Sequence, residues 1–410
     1  MLIESIVLKT LGIKRHVVRE VVQTEFDGFR IGLDIRRGWK QPCGSCGTPG
    51  RVRDRLQERS WKHVPLWGIP VTLVFAPARV TCPHCGKVRV AEIPWSRGKC
   101  RLSVGLIWLL SAWCKLLAWD QVASLFGVHW NTVATAVRQA VSYGLEHRKM
   151  EGILYIGIDE LSRQKGHVYV TNVYDLTSRR LLWSGEGRSK ETLRAFFDEH
   201  GSALKKTVRG VCCDMWQPYI DVVKEHLPEV TLVFDKFHIT QHLLQAVDEV
   251  RREEARDLKK TNPELLKRTR YIWLKNPENL TDNQRARLGH LEKLNLRCNR
   301  AYLLKESFRE FWGYKRKGWA RRFLKKWFWW ATHSRLKPMR DFAWMLRRHE
   351  EGILAYFDER ISNGAVEGMN NKAKVVSHRC YGFRTAATYI TALYHCLGDL
   401  PEPPLVHRFL

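Results

Sequence analysis

Hydrophobic positions along this chain follow two periods. Between 153 and 187 the period is that of strands. ILYIGIDE at 153–160 is an apolar run bounded by acids, GHVYVTNVYD at 166–175 sets β-branched and aromatic residues between a glycine and an aspartate, and RRLLWSGEG at 179–187 adds a third run. They predict a three-strand meander, with Asp159 leaving the end of the first strand and Asp175 closing the second. SKETLRAFFDEH at 189–200 reads as a covering helix, and VRGVCCD at 208–214 and TLVFDKFH at 231–238 as two more strands. The helix between them, near 216–226, has the length that a parallel crossover needs. From 239 the period turns helical, broken by Asn-Pro pairs at 262–263 and 276–277.

Ahead of the meander the pattern is shorter. The first forty residues alternate weakly, as in IESIVLKTLGI and FRIGLDI, and predict short strands with basic loops. Ser103 is placed to cap a helix carrying LIWLLSAWCKLL. A second helix at 120–126, a Gly127-Val128 corner and a third helix with Val133 and Val137 four apart match a helix-turn-helix. Its last helix would offer His129, Trp130, Asn131, Thr132 and Thr135 to the major groove, with Arg138 near phosphate. Many helical bundles contain such a corner without touching DNA, so the basic module before it is what favours this reading.

Three antiparallel strands followed by alternating helices and parallel strands make the ribonuclease-H-like plan. There the first and fourth strands are neighbours, and Asp159 approaches Asp214. Alone, Asp159 would read better as a capping or turn acid. Two carboxylates a few ångströms apart repel unless a cation compensates, and oxygen ligands beside a phosphate substrate select Mg2+, or Mn2+. Two ions about 3.5–4 Å apart could activate a water or 3′-hydroxyl and stabilise the leaving oxygen. The third acid is expected in NGAVEGMNNKAK at 363–374, where Asn363, Glu367, Asn370 and Lys374 share one helix face. Glu367 would be the ligand, Asn363 and Asn370 its hydrogen-bonding neighbours, and Lys374 a phosphate contact.

Other acids sort differently. Glu160 points to the opposite strand face and reads as a salt-bridge group. Asp235 and His238 open the helix ITQHLLQAVDEV. A zinc trio with His242 would lack a further ligand, so their expected role is to brace the acids or position DNA. Residues 311–340 carry ten Lys or Arg and no acid, interleaved with aromatics. Most of those rings suit a helical core, while Lys315, Arg316, Lys317, Arg321, Arg322, Lys325 and Lys326 suit opened or distorted DNA.

Cysteine and charge change the picture further. Cys43-Gly44-Ser45-Cys46 and Cys82-Pro83-His84-Cys85 are two knuckles that complete the tetrahedral sulfur set of structural zinc. Redox or inert thiols are the alternative, and His63 and His84 are possible substitutes. With 11 cysteines in 410 residues, metal in a reducing compartment is favoured over a disulfide framework. A formal charge of +27 implies a polyanionic partner, best a nucleic acid. A membrane fits less well, because the most apolar run, 104–119, is broken by Lys115 and too short to span. No charged-then-apolar leader opens the sequence, so no secretion is expected.

The expected organisation is an α/β multidomain chain: a zinc-binding, DNA-binding module at 1–95, a helix-turn-helix domain at 96–150, a ribonuclease-H-like core at 151–238, a helical insertion at 239–362, and the core's final helical part at 363–410. This combination resembles the ISL3 family of bacterial insertion-sequence transposases, through the double CxxC module, GIDE at 157–160, CCDMW at 212–216, FDKFH at 234–238 and SNGAVEGMNNKAK at 362–374. The resemblance implies a DDE transposase in which Asp159, Asp214 and Glu367 are catalytic and bind Mg2+. It matches Asp235 and His238 to a C/D(2)H signature, in which Asp235 competes with Asp214; Asp214 is retained because it follows the fourth strand. It further implies binding of terminal inverted repeats, cleavage at element ends and joining of 3′-hydroxyls to target DNA. A homodimer or higher assembly on double-stranded DNA, in the bacterial cytoplasm with the nucleoid and away from membrane, is the corresponding expectation. A catalytically inactive DNA-binding protein and a structure-directed nuclease are the competing readings.

Overall fold

A computed structural model describes residues 3–11, 13–24, 28–164, 166, 168–361 and 364–402. It divides into two compact units, Met1–Arg148 with Val375–Leu410, and Lys149–Lys374. The architecture is mixed α/β.

The first unit opens on a helix, α1 (Ile3–Leu11), in place of the short strands that the weak alternation predicts. Val7 is buried, and Leu8 and Leu11 pack against the same core. Apolar residues three and four apart make a helical stripe that outweighs the weak alternation. Strands β1 (His16–Gln23), β2 (Phe29–Ile35), β3 (Gln41–Pro42), β4 (Pro49–Arg55), β5 (Arg59–Leu66), β6 (Ile69–Phe75), β7 (Ala78–Thr81) and β8 (Val88–Val90) follow. They form two sheets, ordered β1-β2-β6-β5 and β3-β4-β7-β8. Ile31, Leu73, Phe75, Trp61 and Trp95 fill the core of the first. Helices α2 (Val104–Cys114), α3 (Trp119–Leu125) and α4 (Trp130–His147) come next. Ser103 caps α2 as expected, its hydroxyl accepting the Leu106 N–H at 3.2 Å.

The second unit is built on strands β9 (Tyr155–Gln164), β10 (Val168–Asp175), β11 (Arg180–Glu186), β12 (Gly210–Cys213) and β13 (Thr231–Phe234). Their order is β11-β10-β9-β12-β13, with β9, β10 and β11 antiparallel and β9, β12 and β13 parallel. Helices α5 (Lys190–Leu204) and α6 (Gln217–His226) connect them. Asp159 does not leave the end of β9 but lies in its interior, because the hairpin pairing with β10 continues to Gln164. The pairing of β9 with β12 stops earlier, at Gly157 opposite Cys212, so Asp159 stands just beyond that seam.

Among the described residues, 236–359 carries helices and no strand: α7 (Lys236–Asp257), α8 (Arg270–Leu274), α9 (Asp282–Glu292), α10 (Arg297–Arg309), α11 (Lys317–His333), α12 (Lys337–Arg348), α13 (Glu350–Leu354) and α14 (Tyr356–Glu359), with short 3-10 turns and loops between them. One buried apolar cluster runs from Ile156, Val211 and Phe234 of the sheet to Leu304, Trp327 and Phe342 of these helices. The helical stretch is therefore continuous in packing with the sheet.

Helix α15 (Gly364–Arg379) contributes its residues to Lys374 to the second unit; the rest, with α16 (Ala386–Leu397), belongs to the first. The segment expected as a whole at 363–410 is thus shared between units. In the first unit, the Arg379 guanidinium donates to the carbonyls of Lys115 at 2.7 Å and Cys114 at 3.2 Å, closing the end of α2. His395 of α16 lies 2.7 Å from the Ser111 hydroxyl of α2 in a buried contact.

Candidate active site

Strand alternation sorts the polar groups of the second unit onto two faces. Glu160 pairs in register with Thr171, and the Thr171 hydroxyl lies 2.9 Å from Tyr219 Oη of α6. Glu160 also faces Arg188 at 3.6 Å, the salt-bridge role expected of it. Burial pushes its carboxyl up, and Arg188 opposes the shift.

Asp159 is on the other face. Its register partner is Asn172, which is buried, and neither amide atom of Asn172 finds a hydrogen-bond partner among the described residues. Asp159 Oδ2 accepts from Asn370 Nδ2 at 2.7 Å, and Asn370 Oδ1 accepts from Tyr174 Oη at 2.7 Å. This relay ties α15 to β9 and β10 in the second unit. Asp235 caps α7 by accepting the Phe237 N–H at 3.1 Å. One turn on, His238 Nε2 stands 3.9 Å from Asp159 Oδ1 and 3.8 Å from Asp235 Oδ2. Burial pushes Asp159 up to about 6, with the charges of Asp235 and Glu160 adding to the shift and His238 opposing it. Asp235 is raised for the same first reason, and the charges of Asp214 and Glu367 add to it.

The residues singled out in sequence therefore divide. Asp159, Asp235, His238 and Asn370 meet directly, while Asp214 and Glu367 are near enough to act on Asp235. Glu367 and Lys374 are exposed on α15, and Asn363 lies outside the described residues. Sequence reasoning misses Tyr174 and Asn172; the signal available is their shared face with Asp159 in the hairpin. Among the described residues, the four cysteines alone bring three or more His, Cys, Asp or Glu ligand atoms within 4.8 Å of one another, so these carboxylates are close but not gathered.

Cys43, Cys46, Cys82 and Cys85, in the first unit, are that gathered set. Cys46 Sγ stands 3.5 Å from Cys82 Sγ and 3.4 Å from Cys85 Sγ. Sulfurs about 2.3 Å from a tetrahedral zinc would be separated by about 3.8 Å, so the residues fit that ion. Each pair sits on a tight turn closed by glycine. Gly47 at φ +72° donates to the Cys43 carbonyl at 2.8 Å, and Gly86 at φ +62° donates to that of Cys82 at 3.1 Å. Hydrogen bonds from Thr48 pull the Cys46 thiol down to about 6, toward the thiolate that a metal binds. His63 instead contacts Ser103 at 2.8 Å.

Two basic surfaces correspond to the expected DNA contacts. On α4, His129 caps the helix by accepting the Asn131 N–H at 3.2 Å. Trp130, Asn131 and Arg138 are exposed, and Thr132 and Thr135 are half-buried. On α11, Ala320, Leu324, Trp327 and Ala331 face the core, leaving Arg322, Lys325 and Lys326 exposed beside Trp319, Trp329 and Trp330. Lys315 and Arg316 are exposed just before it. Lys317 pairs with Asp358 at 2.5 Å and Arg321 with Glu351 at 3.2 Å. No described helix is long and apolar enough to cross a membrane.

The family of ISL3 transposases matches residues 156–393, a span that includes Asp159, Asp214, Asp235, His238, Glu367 and Asn370. The transposase of insertion sequence element IS1001 from Bordetella parapertussis is 30% identical over 345 residues, covering 83% of this chain and 85% of that protein. The transposase of IS1557 from Mycobacterium tuberculosis (strain CDC 1551 / Oshkosh) is 30% identical over an alignment of 435 residues, covering 97% of this chain and 96% of its own. Likeness that extends over nearly the whole length, beyond the matched span and into the cysteine module, leaves one conclusion: the chain belongs to the ISL3 family of insertion-sequence transposases.

Proposed function

We propose that this transposase binds the terminal inverted repeats of its element, cuts phosphodiester bonds at the ends and transfers the 3′-hydroxyls to target DNA. In this reading the sheet of the second unit is a ribonuclease-H-like core, α2–α4 are a helix-turn-helix, and Asp159, Asp214 and Glu367 are the catalytic acids. The observation that carries it is the 2.7 Å bond from Asn370 to Asp159, which holds the helix bearing Glu367 against the first strand. The strand order, with Asp214 following the strand beside β9, supports it.

Asp159, Asp214 and Glu367 would hold Mg2+, or Mn2+, and bound ions would supply the charge that activates a water or 3′-hydroxyl toward phosphorus. The buried, raised carboxyls of Asp159 and Asp235 and the unpartnered amide of Asn172 suit such a cation and its waters. Asn370, oriented by Tyr174, fixes one oxygen of Asp159, and His238 stands between Asp159 and Asp235 to brace both. Two ends must be held at once, so the working form is a dimer or larger assembly on DNA. Zinc on the four cysteines holds the N-terminal module, and the basic faces of α4 and α11 contact DNA.

The test is cleavage and joining of labelled inverted-repeat duplex, with both strands resolved. Wild type with Mg2+ should yield cut and joined products. Asp159→Ala and Glu367→Ala should bind the duplex normally yet lose about a thousandfold or more of cleavage, since metal-ion catalysis supplies several kcal/mol of barrier lowering. Cleavage that persists in either variant removes that residue from the mechanism. A wild type that binds ends and processes none is an inactive DNA-binding protein, and one that cuts branched DNA as readily without joining is a structure-directed nuclease.

A further inference from the structure

In the first unit, a cleft of about 380 Å³ lies between the end of β2, the loop after it and β4. Arg36, Arg37, Trp39, Lys40, Arg51 and Arg55 line it, and no acid does. Arg55 is engaged, donating to Asp34 at 2.6 Å. The side chains of Arg36, Arg37, Lys40 and Arg51 are exposed, and no ion pair among the described residues uses them. Gly38 at φ +82° turns the loop, and the Trp39 N–H donates to the Arg36 carbonyl at 3.2 Å. Trp39 is left 46% exposed. Four like charges around one concavity repel one another, and an anion with several charges at fixed spacing relieves that repulsion. Guanidinium forks match phosphate oxygens in pairs.

We propose that this cleft grips the phosphate backbone of double-stranded DNA independently of sequence, with Trp39 against the sugar edge of the held strand. The choice of DNA as the polyanion rests on the transposase reading above. The cleft is coupled to the cysteines, because β4 forms one of its walls and, paired with β3, flanks the first cysteine pair.

The experiment measures binding of the full chain to a fluorescent end duplex and to an unrelated duplex of equal length, from about 50 to 200 mM salt. Replacing Arg36, Arg37 and Arg51 with alanine together should flatten the log–log salt slope by about 0.9 for each phosphate no longer neutralised, on both duplexes. The matching triple lysine variant should restore the slope. Trp39→Ala should weaken binding roughly fivefold or more with the slope unchanged. The replaced side chains are exposed and unpaired, so the melting temperature should hold; if it falls, Arg51→Ala alone is read in the same way. An unchanged slope, a weakening confined to the end duplex, or displacement of DNA by inorganic phosphate beyond what chloride does at equal ionic strength overturns the proposal. Failure of cleavage with a flattened slope would sink the catalytic reading and leave this one standing; cleavage with an unchanged slope would do the reverse.

Discussion

The cysteines of the first unit and the acids of the second are gathered to different degrees in this transposase. Four cysteine sulfurs in the first unit already lie within 4.8 Å of one another, whereas the acids of the second unit surround Asp235 without converging. The cause is the source of each side chain. The cysteines come from two tight turns whose backbone geometry sets the spacing within each pair, so little remains to be arranged. The acids come from β9, from the residues after β12 and β13, and from α15. Groups drawn from distant elements are spaced by the tertiary packing and not by one turn, and burial of Asp159 outweighs the opposing pull of His238, so its carboxyl is raised.

The largest expected effect breaks the comparison on the cysteine side. Structural zinc is worth about 10 kcal/mol or more in small zinc modules. Cys46→Ala, or a chelator, should therefore unfold the β3–β8 region while Lys149–Lys374 keeps its own cooperative transition. Limited proteolysis with mass mapping, alongside thermal melts, reads this directly. Equal loss in both units, or in neither, would show that the gathered thiols are not the staple of the first.

The next effect sharpens the acid side. Burial raises Asp159 from 3.8 to about 6, so between those pH values the folded state binds more protons than the unfolded one. Stability should fall as pH rises through this window and level off above it. The ceiling is about 3 kcal/mol, lowered because the side chain keeps 23% exposure. Urea midpoints measured without divalent ions should show the fall, Asp159→Asn should lessen it, leaving the part due to the raised carboxyls of Asp235 and Glu160, and millimolar Mg2+ at pH 7 should recover part of it. A pH-independent midpoint in the wild type contradicts a carboxyl raised by burial.

How much of this is legible in sequence follows the same division. The cysteine pairs and their glycines can be read because the turn and its ligands sit within five residues. The strand order can be read from period and crossover length, and Glu367 and Asn370 from a polar stripe unsuited to a core. The interior position of Asp159 cannot, because it depends on how far β10 stays paired beyond Gly166. Helix α1 escapes the pattern because an eleven-residue stretch carries both periods weakly, and packing of Val7 decides. Nothing in TAATYITALYHC announces that His395 meets Ser111, since that contact spans 284 positions.

The smallest effect tests whether burial, rather than the mere presence of acids, separates the two regions. Glu351 belongs to the same unit as Asp159, yet its side chain is 78% exposed and its partner Arg321 is 49% exposed. An exposed pair of this kind contributes about 0–1 kcal/mol, because solvent screens the attraction and two long side chains lose freedom. Glu351→Gln should accordingly leave the urea midpoint almost unmoved. It also releases Arg321 on α11, whose exposed face already carries Arg322, Lys325 and Lys326. Freed of its carboxylate, that guanidinium becomes available to a phosphate, so DNA affinity at low salt should rise a few-fold and the salt slope should steepen by about 0.9. A drop in stability comparable to that of the buried acid would mean that exposure does not separate them, and an unchanged slope would remove Arg321 from the DNA-facing set.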